Sequence, residues 1–302
     1  MDLRNAPFDI ESRLVRKWYA VTDARPSSAP FVSGDSFRAI ADHVFEPGMD
    51  FRPYAVGAGD VVFVKSSELD KFCLEVLSHL KKRFVLITHN GDLNVDSRFQ
   101  ELASNPTVIR WFAQNALIRH PKVTAIPIGL ENQRLYCNGI VKDFNRLQKR
   151  SVAKSKRILS AFSVQTNRSE RSHAQKVFRR SRLVDEIPRR NSRAYRKVLI
   201  RYAFVASPPG NGIDCHRTWE ALYLGVVPIV RKSPFFESFP GLPVAAIDAW
   251  EEVLDWTEDD LVERFESVSK DISQSPYLRF SYWEGLIKSA QASLQSLQVG
   301  VS

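Results

Sequence analysis

Cysteine is scarce in this sequence: Cys73, Cys137 and Cys215 are the only three in 302 residues, and they lie far apart. They form neither a C-x-x-C pair nor a disulfide framework, which points to a reducing compartment and a cytoplasmic location. No apolar run approaches the roughly 18 residues of a membrane span. The opening MDLRNAPFDIESRL also lacks the apolar core of a signal peptide. Metal and nucleophile signatures are missing as well. There is no D-x-D triplet, no H-E-x-x-H and no zinc spacing among the six histidines. A phosphate loop ending in Gly-Lys-Ser/Thr and a G-x-S-x-G elbow are likewise absent. Asp259-Asp260 reads as the acidic first turn of a helix.

What is present is a chain with ordinary amounts of hydrophobic (44%) and charged (25%) residues, which excludes long-range disorder and fibrous architectures. The net charge of +9 is unevenly placed: residues 146–201 hold 18 Lys/Arg against 3 Asp/Glu, leaving −6 for the rest. Such a stretch could meet nucleic acid, an anionic bilayer or the phosphates of a small ligand. Phe178 and Tyr195 are its only aromatics between Phe162 and Tyr202. That is too few for a base-stacking platform.

Short β-branched runs alternate with helical patterns. The strand-like runs are VVFVK (61–65), FVLITH (84–89), VTAIPI (123–128), RILSAFSV (157–164), YAFVAS (202–207), VVPIV (226–230) and the weaker PVAAI (243–247). Helical patterns cover 66–82, 97–104, 171–184, 192–200 and 215–225. In the first of these Leu69, Phe72, Cys73, Val76, Leu77 and Leu80 form one apolar stripe. This alternation, with near-continuous hydrophobic strands, predicts parallel sheets covered on both faces. The chain turns polar and basic over 135–155, so the expected organisation is two Rossmann-like domains, 1–150 and 151–302. The segment 277–298 reads as a closing amphipathic helix crossing back to the first domain.

The densest signal is FVASPPGNGIDCHRTWEALYLGVVPIV (204–230). Pro208 and Pro209 end a strand. Gly210 and Gly212 offer positive φ and close approach of a ligand to the backbone. Asp214 suits an N-cap, and the helix start that follows suits phosphate. Arg217 and Glu220, three apart, share a face: the guanidinium fits a diphosphate, and the carboxylate fits the two vicinal hydroxyls of a ribose. Trp219 and Leu222 belong to the core.

SPPGNGIDCHRTWEALYLGVVPIV resembles the nucleotide-sugar site of exostosin-type glycosyltransferases, over about residues 200–245 and more loosely from 157 to 200. Bacterial-type fucosyltransferases have a similar strand–loop–helix with a Glu. The resemblance implies a GT-B fold, α/β, with two Rossmann-like domains whose parallel sheets face a central cleft. It makes Asp214, Arg217 and Glu220 donor-binding positions, joined by Gly210 and Gly212 of the loop. Arg168, after the strand 157–164, stands where a basic residue commonly meets the donor diphosphate, and Arg171 is a weaker version of the same expectation.

In the first domain, FVLITH ends in His89-Asn90-Gly91-Asp92 at a strand's carboxyl end, where open α/β sheets bind ligands. Sugar transfer needs a group to take the acceptor's proton, and His89 and Asp92 are the two candidates. Asn90, and Glu131 beyond Gly129, are expected on the acceptor side. Gln114 and Asn115 read as a polar helix face, Lys65 and Lys197 as weaker candidates, and Gly57 and Gly59 as a loop near the acceptor.

The function expected from these readings is a glycosyltransferase of glycan or polysaccharide synthesis, moving a sugar from a nucleoside diphosphate sugar to a carbohydrate hydroxyl. It would need no metal and no cofactor beyond the nucleotide-sugar co-substrate. Its partners would be the donor, a glycan or lipid-linked glycan acceptor, and an anionic membrane surface touched peripherally at the inner face. Two other readings are a basic nucleic-acid-binding protein and a catalytically silent relative that binds nucleotide or glycan without turnover.

Overall fold

The computed structural model describes residues 6–188 and 190–299. Two five-stranded, all-parallel sheets organise the chain. The first contains β1 (His43–Phe45), β2 (Val61–Lys65), β3 (Phe84–His89), β4 (Val108–Gln114) and β5 (Val123–Ile126), side by side in chain order. The second contains β6 (Ser155–Ser160), β7 (Val184–Glu186), β8 (Tyr202–Ala206), β9 (Val227–Arg231) and β10 (Ala245–Ile247), in the order β10-β9-β8-β6-β7. The apolar runs become the central strands because every residue of β3, and all but one of β2, β8 and β9, is buried. Among these apolar strands Trp111 of β4 places its indole N–H on the Thr88 hydroxyl of β3 at 2.9 Å, so the one buried donor there is satisfied.

Register sets up the sites. Lys65 at the end of β2 pairs with His89 at the end of β3, so both reach the carboxyl edge of the first sheet. In the second sheet the chain leaves β6 for β7 on one side and returns to β8 on the other. The carboxyl ends of β6 and β8 therefore splay apart into a topological switch point, the usual ligand crevice of such sheets. The first sheet, wound in one direction throughout, has none.

Three strands escape the sequence reading. β1 and β7 are three-residue edges, and β4 covers Gln114, which the pattern put in a helix. The 66–80 segment is helical but broken: a π-helical stretch at Phe72–Val76 lies between 3-10 turns, with Leu69, Phe72, Val76 and Leu80 still buried.

Both chain ends bind the halves together. The C-terminal helix Phe280–Val299 packs on β3 and β4, with Gln291 Nε2 donating to the Gly59 carbonyl at 3.1 Å. The N-terminal helix Ala6–Thr22 lies against the Gln133–Leu135 turn and the helix Ser192–Leu199. Its Ser12 hydroxyl donates to the Tyr136 carbonyl (2.7 Å), and its Glu11 accepts from the Tyr136 hydroxyl (2.7 Å) and Arg193 (2.8 Å).

Candidate functional site

A cavity of about 970 Å³ opens at the switch point of the second sheet. Its floor is the stretch Ser160–Ser163 that follows β6, the start of the helix His216–Tyr223, and Tyr195; its far wall is the N-terminal helix through Phe8, Asp9, Ser12, Arg13 and Arg16. Arg217 and Glu220 both line it, one helical turn apart as their spacing requires. One guanidinium nitrogen of Arg217 donates to the Ala161 carbonyl at 3.0 Å, while its buried Nε has no partner.

Glu220 is buried to 6% exposure, and among the described residues its carboxylate receives no hydrogen bond. Burial pushes its pKa up, against the attraction of Arg196, His216 and Arg217. The Tyr195 hydroxyl is also buried without a partner, and desolvation raises its pKa to about 12. Buried polar groups are normally paired, so the Glu220 carboxylate at this cavity keeps hydrogen-bonding capacity for a ligand, with Arg217 and Tyr195 lining the same space.

Arg171 adds charge beneath this cavity. Its guanidinium holds only neutral acceptors: the carbonyls of Pro209 (2.9 Å), Ser163 (2.9 Å) and Pro208 (3.2 Å), and the Thr166 hydroxyl (2.5 Å). Burial, with Arg217 nearby, lowers its pKa to about 10. It clamps the two loops at the switch point together and leaves its positive charge uncompensated, which favours an anion above it.

Several expectations for this side need correction. Arg168 is exposed, turned back onto Gln165 Oε1 (2.9 and 2.7 Å), and lines no part of the cavity; Arg171, one turn on, is the residue that does. Lys197 is exposed and outside the cavity. Asp214 does not cap the helix; Cys215 holds that position. The Asp214 carboxylate is buried under the Ile128 N–H (2.8 Å), the Cys215 N–H (2.8 Å) and the Trp219 indole (2.8 and 2.9 Å). Burial raises its pKa to about 7, against the pull of those donors. It is an inter-domain brace out of a donor's reach.

Gly210 and Gly212 have no positive φ. Their missing side chains admit protein instead of ligand. A Cβ at 210 would stand 3.2 Å from Arg171, and one at 212 would stand 2.4 Å from the Asn115 amide of the first domain. Two of the loop's N–H groups are taken as well: Ile213 donates to Asn94 and Asp214 to Asn115, both at 3.0 Å. The Pro-Gly loop thus stitches the domains together, and Arg217 and Glu220 of the helix that follows line the cavity.

A second cavity, about 640 Å³, lies at the carboxyl edge of the first sheet and is lined by Lys65, His89, Asn90, Asp92, Gln114, Glu131, Asn132 and Arg134 among others. Most of its polar atoms serve one another. His89 accepts the Asn90 N–H on Nδ1 (2.7 Å), so its proton is on Nε2, which donates to the Pro127 carbonyl (3.1 Å). Desolvation lowers its pKa to about 4. With no free lone pair it cannot serve as the proton acceptor expected of it.

Asn90 bridges Asp35 (3.3 Å) and Asn132 (2.8 Å), and Glu131 holds Asn138 through its N–H (2.8 Å) and side chain (3.1 Å). Gln114 and Asn115 end a strand, not a helix: Gln114 bonds the Gly91 carbonyl, and Asn115, at φ 55°, is the inter-domain contact of Asp214. Gly57 and Gly59 precede β2 and so stand at the opposite edge of the sheet. Gln114 Oε1 and Arg134 Nε are buried without a hydrogen bond, and Asp23 and Asp92 face solvent. One Asp92 carboxylate oxygen accepts from Asn211 of the second domain (3.0 Å).

His216 belongs to both cavities and was missed in the sequence. Its Nδ1 lies 2.8 Å from the Gly129 carbonyl, which can only accept. The ring proton is therefore on Nδ1, and Nε2 has no partner among the described residues. The i, i+4 spacing to Glu220 was the available signal.

Part of the basic stretch is spoken for internally. Arg157 pairs with Asp185, Arg179 with Glu186, and Arg146, Arg193 and Arg196 with Asp143. Lys154 is tied to the carbonyls of Ile200 and Leu224, and its pKa is lowered to about 8 by burial.

No family model matches the chain, and no curated protein matches it by sequence. Solved structures do. An α,α-trehalose 6-phosphate synthase from Burkholderia multivorans superposes with a TM-score of 0.51 at 8% identity, covering 83% of this chain and 74% of that one. Trehalose-6-phosphate synthase from E. coli, solved with UDP-2-fluoro glucose, gives 0.49 at 9% identity, covering 78% and 74%. The first likeness shows the fold: two parallel-sheet α/β domains in the GT-B arrangement expected from the sequence.

Proposed function

We propose that the protein is a glycosyltransferase that moves a sugar from a nucleoside diphosphate sugar to a carbohydrate hydroxyl, on a free or lipid-linked glycan. The observation that carries this reading is Glu220: a buried carboxylate without a hydrogen bond, beside the unpaired Nε of Arg217, in a cavity of donor size at a switch point. Glu220 accepts from the two ribose hydroxyls. Arg217, with the field of Arg171 behind it, holds the diphosphate. The fold likeness to a protein described as a trehalose 6-phosphate synthase supports the same class. The resemblance of 204–230 to exostosin-type enzymes supports a kinship within it.

In the transfer, the bond between the anomeric carbon and the diphosphate oxygen breaks and the nucleoside diphosphate leaves with the electron pair. The acceptor oxygen bonds to that carbon, and its proton passes to Asp92, a solvent-exposed carboxylate of the first cavity. His216, reaching both cavities with a bare Nε2, is placed between donor and acceptor. The guanidinium charges meet the leaving group, so neither metal nor cofactor is required in this proposal.

A melting-temperature panel of UDP, GDP, ADP and CDP in EDTA tests it. At 100 times its Kd a bound nucleotide should stabilise the fold by about 2.7 kcal/mol. Arg217→Met and Glu220→Gln should each blunt the response. Indifference of the wild type to all four nucleotides, or a full response in both variants, overturns the donor site.

A further inference from the structure

The N-terminal helix carries an apolar face that none of the described residues covers. Of the eight large hydrophobic side chains that stand exposed among the described residues, four are on this one helix: Ile10 (59% exposed), Leu14 (64%), Trp18 (57%) and Val21 (77%). At 100° per residue they fall within an arc of about 80°, a single stripe. Phe8, Ser12, Val15 and Tyr19 occupy the other side and turn toward the body, where Phe8 is covered by Arg193 and Ser12 is bonded to Tyr136. The helix is therefore amphipathic twice over: one face is docked and the other is bare.

Basic residues border the bare face. Arg13 and Lys17, both exposed, fall within about 60° of Ile10 on one flank of the stripe. Among the described residues these two side chains take part in no ion pair, unlike the five arginines of the stretch 146–201 that meet carboxylates. An apolar stripe with Trp at its edge and cations alongside matches the interface of an anionic bilayer, where indole and aliphatic groups enter the acyl boundary and Lys/Arg meet lipid phosphates. No helix among the described residues is long and apolar enough to cross a membrane, so the contact is in the plane of the surface.

We propose that the N-terminal helix docks the protein onto an anionic lipid surface through Ile10, Leu14, Trp18 and Val21, with Arg13 and Lys17 on the headgroups. Asp9, Arg13 and Arg16 of the same helix line the larger cavity, so docking brings that cavity's mouth to the bilayer. The docking itself does not depend on the proposed transfer, since binding to vesicles is read without turnover.

Trp18 supplies its own reporter. The other five tryptophans are buried: Trp111, Trp219, Trp250 and Trp283 almost completely, and Trp256 at 8% exposure. Vesicles of phosphatidylcholine with a third phosphatidylglycerol should blue-shift the emission and shield it from acrylamide, and should co-sediment the protein; pure phosphatidylcholine should do so at least tenfold less. Leu14→Ser/Trp18→Ser should abolish co-sedimentation while keeping the melting temperature and nucleotide response of the wild type. Arg13→Ser/Lys17→Ser, at the melting temperature of the wild type, should weaken binding to anionic vesicles on the order of tenfold. Three results overturn the inference: no binding of wild type to anionic vesicles, wild-type binding by Leu14→Ser/Trp18→Ser, or a dimer in sedimentation equilibrium that this variant converts to monomer, which would make the stripe an interface between copies.

Discussion

The two cavities are built from similar residue types and differ in what those residues are left to do. At the edge of the first sheet His89, Asn90, Glu131 and Asn132 spend their polar atoms on neighbouring side chains and backbone, Asp23 and Asp92 stand exposed, and only Gln114 Oε1 and Arg134 Nε among the cavity's lining groups are buried without a hydrogen bond. At the switch point of the second sheet the buried Glu220 receives no hydrogen bond among the described residues, and the Arg217 Nε and the Tyr195 hydroxyl beside it make no close one. A satisfied network rigidifies a wall; an unsatisfied buried group costs free energy until something fills it. The difference traces to winding. A sheet laid down in chain order has no splayed pair of strand ends, whereas the reversal between β6 and β8 opens one.

Acid should break this comparison first. His89 has a folded pKa of about 4, below the 6.5 of an unfolded histidine, so the unfolded chain binds more protons between those values. The stability from its burial is fully present above about pH 6.5 and is lost as pH falls toward 4, by about 3 kcal/mol. Chemical denaturation of wild type and His89→Asn across pH 4–7 should show that slope in the wild type and a shallower one in the variant.

Glu220→Gln comes next. Removing the charge should weaken nucleoside diphosphate binding about thirtyfold, roughly 2 kcal/mol. The apo melting temperature should stay level or rise, because a desolvated carboxylate is gone; calorimetry of binding and of unfolding reads both. Asn132→Ala should do the reverse. It strips partners from the Asp35 N–H and from Asn90, and should cost about 1–2 kcal/mol of stability with nucleotide affinity unchanged. Arg168→Ala should be smallest, within about 0.5 kcal/mol in stability and without effect on nucleotide binding, since its guanidinium meets only Gln165 at the surface.

How much of this could be read in advance follows from the range of the forces involved. Buried central strands announce themselves because both faces are covered, so β2, β3, β8 and β9 stand out as unbroken apolar runs. β1 and β7 are short edges with little to bury, and β4 carries Arg110 and Gln114 among its apolar residues, which blurs the period. The N-terminal helix went unread because its apolar residues point two ways at once. Within the site, Arg217 and Glu220 were legible because helical spacing is a local property. The swap of Arg168 for Arg171 was not, because which side of the Arg168–Phe178 helix faces the Pro-Gly loop depends on a contact 38 residues away. His89 and Asp214 looked like chemistry and turned out to be architecture for the same reason: their partners, Pro127 and Ile128, come from distant sequence.

Gly212 shows how narrow the margin between the halves is. Its α-carbon faces the Asn115 amide so closely that one further carbon would collide with it. The residue works as a spacer of zero thickness: by presenting hydrogen where any other amino acid presents a carbon, it lets the loop of one domain close on the strand end of the other and so limits the room between the two cavities.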